Sequence, residues 1–396
     1  MKRYQRSLWL LLLILYCNCL IVPLAKGDAG AIAVPTAASM PRIGAKGAAL
    51  MDVASGRLLW AQNEHARLPM ASTTKIMTAI LAIESGRLDE TVTVSQTAVL
   101  VEPSSIWLVP GEQMQLLHLV YGLMLRSGND AACAIAEHLA GSVPEFAGLM
   151  NQKAKELGMH NTNFKNPHGL PDPEHYTTAY DLAVLSAYAL RNQQFTEIVS
   201  TTRFTLPWEQ HATPRIWHNK NRLLQTYPGA DGVKTGWTRA AGHCLVASAN
   251  RSGFRLVAVV LNSPDDFGET AALLDYGYAN YQPLPVIVKG QHWQSVPVAG
   301  GYPSYVGAVA AASYYWPVRS SETLALQKDI LLPDKIVAPV AKGERLGSIQ
   351  VCEAGVVVAE IPLVADQASH RGWWRYWLNR TLGRFWQLLL REVREK

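Results

Sequence analysis

The chain has 396 residues, 49% of them apolar, with 36 lysines and arginines against 31 aspartates and glutamates. That length holds two domains, each able to bury its own core, and the apolar share excludes a disordered chain. A net charge of +5 gives no ground for a nucleic-acid partner.

Lys2, Arg3 and Arg6 precede an apolar stretch over 8–24, and Ala25-Lys26-Gly27 offers small residues at a cleavage site. Residues 1–27 therefore read as an export signal, with an uncleaved membrane anchor as the alternative. Leu15, Tyr16 and Asn18 are not the small residues that a lipid-modified cysteine favours. Residues 28–40 read as a flexible lead-in. Strands are predicted over 48–53 and 57–61, joined around Ala54-Ser55-Gly56. Pro69 and Ser72 introduce a helix over 73–84, which Gly86 ends. Ser72 and Lys75 then share a helical face. Apolar runs over 116–125 and 130–139 read as helices. Ser127-Gly128-Asn129 fills the break between them, where Gly128 permits a tight turn. Residues 161–176 are irregular, and Thr177 or Thr178 caps the next helix with Asp181 in its first turn.

A strand over 232–236 is followed by a hairpin over 244–249 and 254–261, then a helix over 265–281. Residues 41–282 thus read as an α/β domain, an antiparallel sheet sandwiched by helices rather than a doubly wound parallel sheet. Residues 283–366 read as a small all-β domain, with strands over 286–289, 336–340, 346–352 and 355–361. It carries no catalytic constellation and suits a spacer or a protein contact. Over 370–396, Trp374, Leu378, Leu382, Phe385, Leu389 and Val393 project to one helical face, and Arg380, Arg384, Arg391 and Arg394 oppose them. This stretch is too short and too interrupted to span a bilayer and reads as a helix lying in the membrane interface. The alternative is a helix packed on the β domain.

Of five cysteines, Cys17 and Cys19 fall in the signal. Cys133, Cys244 and Cys352 form neither a disulfide framework nor a zinc pattern, and the first two read as small core residues. His160, His168 and His175 lie in the irregular region and read as buried hydrogen-bonding residues. No metal or cofactor is expected.

Three short motifs stand in fixed order: Ser72-Thr73-Thr74-Lys75, Ser127-Gly128-Asn129 and Lys234-Thr235-Gly236. Each alone also reads blandly, as a helix cap or a strand end. As a set they equip a site to attack an amide carbonyl next to a free carboxylate. Ser72 is a poor nucleophile until something takes its proton. Lys75 can do so as the neutral amine, a form that burial and nearby Lys234 favour. Ser127 can relay the proton to the leaving amine, and Asn129 can orient Lys75 and the substrate backbone. Lys234 and Thr235 can hold the carboxylate. Gly236 lets the substrate approach the strand edge. The oxyanion sits between the backbone N–H groups of Ser72 and Trp237.

Beyond the motifs, Ala48-Ala49-Leu50-Met51-Asp52, Gly56-Arg57-Leu58-Leu59, the stretch from Gly158 to Phe164, Asn166-Pro167-His168-Gly169-Leu170, His175 to Ala183 and Asp231-Gly232-Val233 complete a pattern. With these the chain resembles the low-molecular-mass penicillin-binding proteins, the serine-type D-alanyl-D-alanine carboxypeptidases. The resemblance covers about residues 41–281 and continues more loosely beyond. It implies a penicillin-binding/β-lactamase-like transpeptidase fold, acylation of Ser72, proton acceptance by Lys75, a site completed by Ser127 and Asn129, and substrate binding by Lys234. It also implies that Lys220 helps hold the terminal carboxylate. Arg is familiar at that position, and a lysine supplies the charge without the bidentate fork. Trp237 stands where His or Tyr is common, which leaves the backbone N–H role intact.

The implied activity is removal of the terminal D-Ala from peptidoglycan pentapeptide stems, with β-lactams acylating the same serine, on the outer face of the cytoplasmic membrane. A serine β-lactamase is the nearest rival. It needs a base such as a placed Glu, yet no Glu-x-x-x-Asn occurs between Asn129 and Lys234, and Gly128 stands where class A enzymes usually have Asp. A D,D-endopeptidase shares the whole apparatus. A non-catalytic wall-binding scaffold is a third reading, against which the intact Ser72, Lys75, Ser127 and Lys234 argue.

Overall fold

The computed structural model describes residues 39–208, 212–319 and 322–372. The export signal, nearly all of the lead-in and residues 373–396 of the expected amphipathic helix lie outside these residues, while His370–Arg371, where the sequence places the start of that helix, form a short strand paired with Gly301–Tyr302. Among the described residues no helix is long and apolar enough to cross a membrane.

A five-stranded antiparallel sheet organises the first domain. Its strands are β1 (Gly47–Asp52), β2 (Leu58–Gln62), β3 (Ala230–Thr238), β4 (Gly242–Arg251) and β5 (Phe254–Ser263), in the order β2-β1-β5-β4-β3. The two ends of the domain meet where β1 pairs β5, with Ala49 opposite Val259. Alternation along these strands sorts side chains onto two faces. Ala48, Leu50, Leu256, Ala258 and Val260 pack with Leu273 and Leu274 of the helix Asp266–Asn280. Ala49, Met51, Val257, Val259 and Leu261 face the larger helical layer. That layer holds α1 (Lys75–Glu84), α2 (Leu116–Tyr121), α3 (Asn129–Ala140), α4 (Val143–Glu156), α5 (Ala179–Ala189) and α6 (Gln193–Ser200). The architecture is the α/β sandwich expected from helix-rich sequence between strands at both ends of the domain.

Three local departures matter for the site. The chain enters α1 through a 3-10 turn, Ala71–Thr74, so Ser72 precedes the α-helix. The predicted helix over 116–125 gives way after Tyr121 to a π turn, Gly122–Arg126. Ser127, not Gly128, then takes the left-handed conformation, at φ 64° and ψ 35°. Gly128 is extended and serves packing instead: a Cβ there would lie 2.8 Å from Asp130 Oδ1 and 3.0 Å from Ile106 Cγ2. Helix α4, absent from the sequence-based assignment, is capped by Ser142 accepting from the Glu145 N–H, with a proline in its first turn. Thr178 caps α5 as expected, accepting from the Asp181 N–H at 3.0 Å.

The second domain is all β. Its six-stranded sheet includes Arg345–Glu353 and Val356–Ala365, a hairpin turning at Ala354-Gly355. It buries a separate core around Ile349, Val351, Leu363 and Val306. Strands with internal proline or glycine escape prediction: Tyr281–Ile287, His292–Ala299, Tyr305–Ala310 and Tyr314–Arg319. In the first and last of these, Pro283 stands opposite Pro317. A two-stranded ribbon tolerates that pairing, because opposed residues at a non-bonded position need no N–H. The domains are joined by Arg57, at the β1–β2 hairpin. Its guanidinium lies 5.1 Å over the Trp316 ring, donates to the Pro317 carbonyl and pairs with Glu322.

Candidate active site

The sheet places the third motif. Strand β3 is an edge strand, and it packs against the turn that carries Ser72. Gly236 makes the closest approach: a Cβ there would stand 3.0 Å from Ser72 N and 3.2 Å from Ala71 Cβ. A glycine is therefore needed for the Ser72 backbone N–H to face the cleft. Trp237 follows with its indole exposed.

Ser72 does not cap the helix, since neither helix start has a side-chain cap. Its Oγ instead lies 2.9 Å from Lys75 Nζ. The turn is held by its neighbours, Thr73 Oγ1 donating to Met70 O at 2.6 Å and Thr74 Oγ1 to Ala71 O at 2.8 Å. Ala71 sits at φ 49°, a sparsely populated region for a residue with a Cβ.

Lys75 is fully buried. Besides Ser72, its Nζ contacts Asn129 Oδ1 at 2.6 Å and His168 O at 2.6 Å. As a neutral amine it donates its two N–H groups to these two oxygens and points its lone pair at the Ser72 hydroxyl. Burial drives the pKa of Lys75 well down, and the Lys234 charge drives it further. Lys234, also buried, is pulled down to about 7, by burial first and then by Lys220. Burial and the neighbouring Lys234 charge thus favour the neutral amine that Lys75 needs to act as a base.

Of the remaining predicted residues, Asn129 touches Lys75, and Lys234 and Lys220 act on it through their charge. Asn129 is fixed by donating Nδ2 to Glu102 O at 2.7 Å. Ser127 is buried at the start of the α3 segment. Lys234 Nζ donates to Thr235 O at 2.8 Å, and Thr235 is half-buried beside it. Lys220 has an exposed head that donates to Ser104 Oγ at 3.1 Å, and its loop is tied to β3 where Asn221 Nδ2 donates to Gly232 O at 2.8 Å.

Several supporting groups are not legible in the sequence. Asp130 is buried and accepts from the Ile106 and Leu108 N–H groups and from Ser105 Oγ, hanging the 104–108 loop above the site. His168 contributes its backbone carbonyl rather than its ring. The carbonyl is positioned by Gly169, at φ +89°, where a Cβ would fall 1.8 Å from Ala71 O. The only advance signal was the turn-forming composition of Asn166-Pro167-His168-Gly169. His175 accepts from the Lys165 N–H at Nδ1, so its Nε2–H donates to Thr74 Oγ1 at 2.8 Å. Burial holds His168 near 3 and His175 near 4, so both rings are neutral. His160, expected to be buried, is exposed, because it falls on the outer side of the turn after α4. Cys133 and Cys244 are buried free thiols in the core.

The arrangement can take a proton from a serine hydroxyl, offer a backbone N–H to an oxyanion and hold an anion on a lysine. A family model described as D-alanyl-D-alanine carboxypeptidase matches residues 34–265, and one described as penicillin-binding protein 5, C-terminal domain, matches residues 281–371. D-alanyl-D-alanine carboxypeptidase DacF of Bacillus subtilis is 35% identical over 349 residues, covering 86% of this chain and 89% of that protein. DacC of Escherichia coli is 33% identical, covering 91% of each. Among solved structures, penicillin-binding protein 5 from Haemophilus influenzae aligns at a TM-score of 0.64 and 31% identity, over 84% of this chain and 99% of that one.

Two outcomes follow from this geometry. In an NMR titration of isotope-labelled lysines, assigned with Lys75→Met and Lys234→Met, Lys234 should titrate near 7 and Lys75 well below the ordinary lysine range. A Lys75 midpoint in the ordinary lysine range would contradict its role as the base. Gly169→Ala should destabilise the protein by on the order of 3 kcal/mol in thermal or denaturant unfolding. An unchanged unfolding midpoint would contradict the close approach to Ala71.

Proposed function

This chain belongs to the D-alanyl-D-alanine carboxypeptidase family, and from that premise we propose that it removes the terminal D-Ala from peptidoglycan stems through an acyl-enzyme on Ser72. The observation that carries the reading is the Lys75 amine, 2.9 Å from Ser72 Oγ with two carbonyl oxygens occupying its N–H groups. Ser72 Oγ attacks the penultimate D-Ala carbonyl carbon while its proton passes to Lys75 Nζ. The carbonyl oxygen becomes an oxyanion facing the Ser72 and Trp237 N–H groups. When the C–N bond breaks, the proton moves by way of Ser127 to the departing D-Ala amine. Water then attacks the acyl ester with the same amine as base. Lys234, Thr235 and Lys220 hold the terminal carboxylate, and Gly236 and Asn129 receive the substrate backbone along the free edge of β3. β-Lactams present the same amide and carboxylate pair and acylate Ser72.

The absence of a Glu-x-x-x-Asn base between Asn129 and Lys234 disfavours rapid β-lactam hydrolysis. Residues 1–27 and the Arg- and Trp-rich stretch over 370–396 support export and attachment to the outer face of the cytoplasmic membrane.

The deciding experiment combines intact-mass spectrometry with benzylpenicillin and D-Ala release from a diacetyl-Lys-D-Ala-D-Ala peptide. A persistent one-to-one adduct on Ser72 is expected, with release that drops at least a thousandfold in Ser72→Ala. A short-lived adduct with fast penicillin turnover would move the assignment to a β-lactamase. Neither adduct nor release would leave a scaffold. Deleting residues 371–396 should shift the protein from the membrane fraction to the soluble fraction with its peptidase rate retained. Continued sedimentation with membranes would locate the anchor elsewhere.

A further inference from the structure

The carboxypeptidase reading fixes how a substrate lies on β3. Its terminal carboxylate sits at Lys234 and Thr235, and its scissile carbonyl faces the Trp237 N–H. The chain before that carbonyl then runs antiparallel to β3, past Trp237 toward Thr238 and Ala240. A cavity of about 470 Å³ opens at that point. Its walls include Met70 and Ala71, which lead into Ser72, then Gly169 and Leu170, and finally Thr238 and Ala240. Gly169 packs directly on the Ala71 carbonyl, where a Cβ would fall 1.8 Å away. The cavity and the nucleophile therefore share a wall.

Two opposite charges, Asp172 and Arg67, line this otherwise mostly apolar cavity. Asp172 is half-buried. Its Oδ1 accepts from the Glu174 N–H at 2.8 Å, and its backbone carbonyl accepts from the His175 N–H at 3.0 Å. His175 in turn donates to Thr74 of the Ser72 turn, so the carboxylate is fixed relative to the nucleophile. Arg67 lies 5.1 Å over the Tyr176 ring and donates Nη2 to Asn161 Oδ1 at 2.9 Å. Neither charge forms an ion pair among the described residues, with the other or with a third group. Elsewhere the fold pairs its arginines, Arg215 with Glu112 at 2.8 Å and Arg255 with Asp231 at 2.8 Å. A carboxylate and a guanidinium that share a cavity without meeting are both satisfied by a ligand that carries both charges.

Building on the carboxypeptidase reading, we propose that this cavity is a subsite for the side chain of the stem residue that precedes D-Ala-D-Ala, and that it takes a side chain ending in both an ammonium and a carboxylate. Asp172 receives the ammonium, Arg67 receives the carboxylate, and the aliphatic stem lies against Met70 and Leu170. A diamino dicarboxylic acid has this form. A lysine side chain brings its ammonium beside Arg67 without the compensating carboxylate, and a neutral side chain satisfies neither charge. The subsite thus selects on the acyl side of the scissile bond, away from the carboxylate that Lys234 holds.

The test is a ratio of kcat/KM for D-Ala release from two acetylated X-D-Ala-D-Ala peptides. In one, X is 2,6-diaminopimelic acid with its far end free. In the other, X is norleucine, which is neutral. The wild type should favour the zwitterionic peptide at least tenfold, the scale of one charge-assisted contact. Asp172→Asn, which keeps an acceptor for the Glu174 N–H, and Arg67→Gln should each remove most of that preference while the norleucyl peptide is still cleaved. A wild type that treats the two peptides alike would overturn the proposal. So would a ratio left unchanged by either variant, including equal slowing with both peptides, which would make that residue a structural part of its loop. If the wild type releases D-Ala from neither peptide, it is the carboxypeptidase reading that fails. The subsite is then read from equilibrium binding of the same two peptides, where equal affinity would overturn it.

Discussion

The structure turns on one amine held out of water. Burial makes an ammonium costly when no opposite charge stands beside it, and Lys75 contacts a hydroxyl, an amide oxygen and a backbone carbonyl. The Lys234 charge adds to the effect of burial, so the neutral form is favoured. A neutral amine with both N–H groups engaged has one remaining direction, and that direction is Ser72. The nucleophile is thus activated by what its base is denied rather than by what it is given.

Much of the surrounding fold serves to fix those acceptors. Asn129 is anchored from behind by the Glu102 carbonyl. The His168 carbonyl is pressed into place by a glycine against the backbone of Ala71. Asp130 suspends the 104–108 loop, and through Ser104 that loop reaches both Asn129 and Lys220. Ala71 and Ser127 both occupy positive φ, at roughly 1–3 kcal/mol each. The packed helical layer and the edge strand β3 over-determine these conformations. Neutral His175 contributes by donating to Thr74, whose hydroxyl in turn holds Ala71.

The β domain takes no part in this chemistry. Its core is separate, and Arg57 couples it to the sheet by stacking on Trp316 and bonding across to Pro317 and Glu322. The contact comes from the β1–β2 hairpin and the start of the strand at Tyr281, on the chain that continues directly from the helix Asp266–Asn280. The join therefore leaves the free edge of β3 open to an extended peptide.

The sequence by itself determined the identity of the chemistry and the class of the fold. Ser72 and Lys75 meet because residues three apart in a helical turn are neighbours, a local rule that needs no tertiary information. The near-continuous apolar runs of β1 and β5 fit a sheet covered on both faces, and the long apolar runs over 116–125 and 130–139 predict helices that cover it. Tertiary structure decided everything that depends on groups without a sequence signature. A backbone carbonyl from residue 168 looks like any other carbonyl until the chain is folded. The exchange of roles between Ser127 and Gly128 depends on what packs against Gly128, and the exposure of His160 depends on which side of a turn faces solvent. Proline-bearing strands of the β domain escape notice because propensity counts against them, while an opposed proline pair removes the lost N–H as an objection. Lys75 and Lys234 stand far apart in the chain, and they act on one another only because the edge strand packs against the turn that carries Ser72.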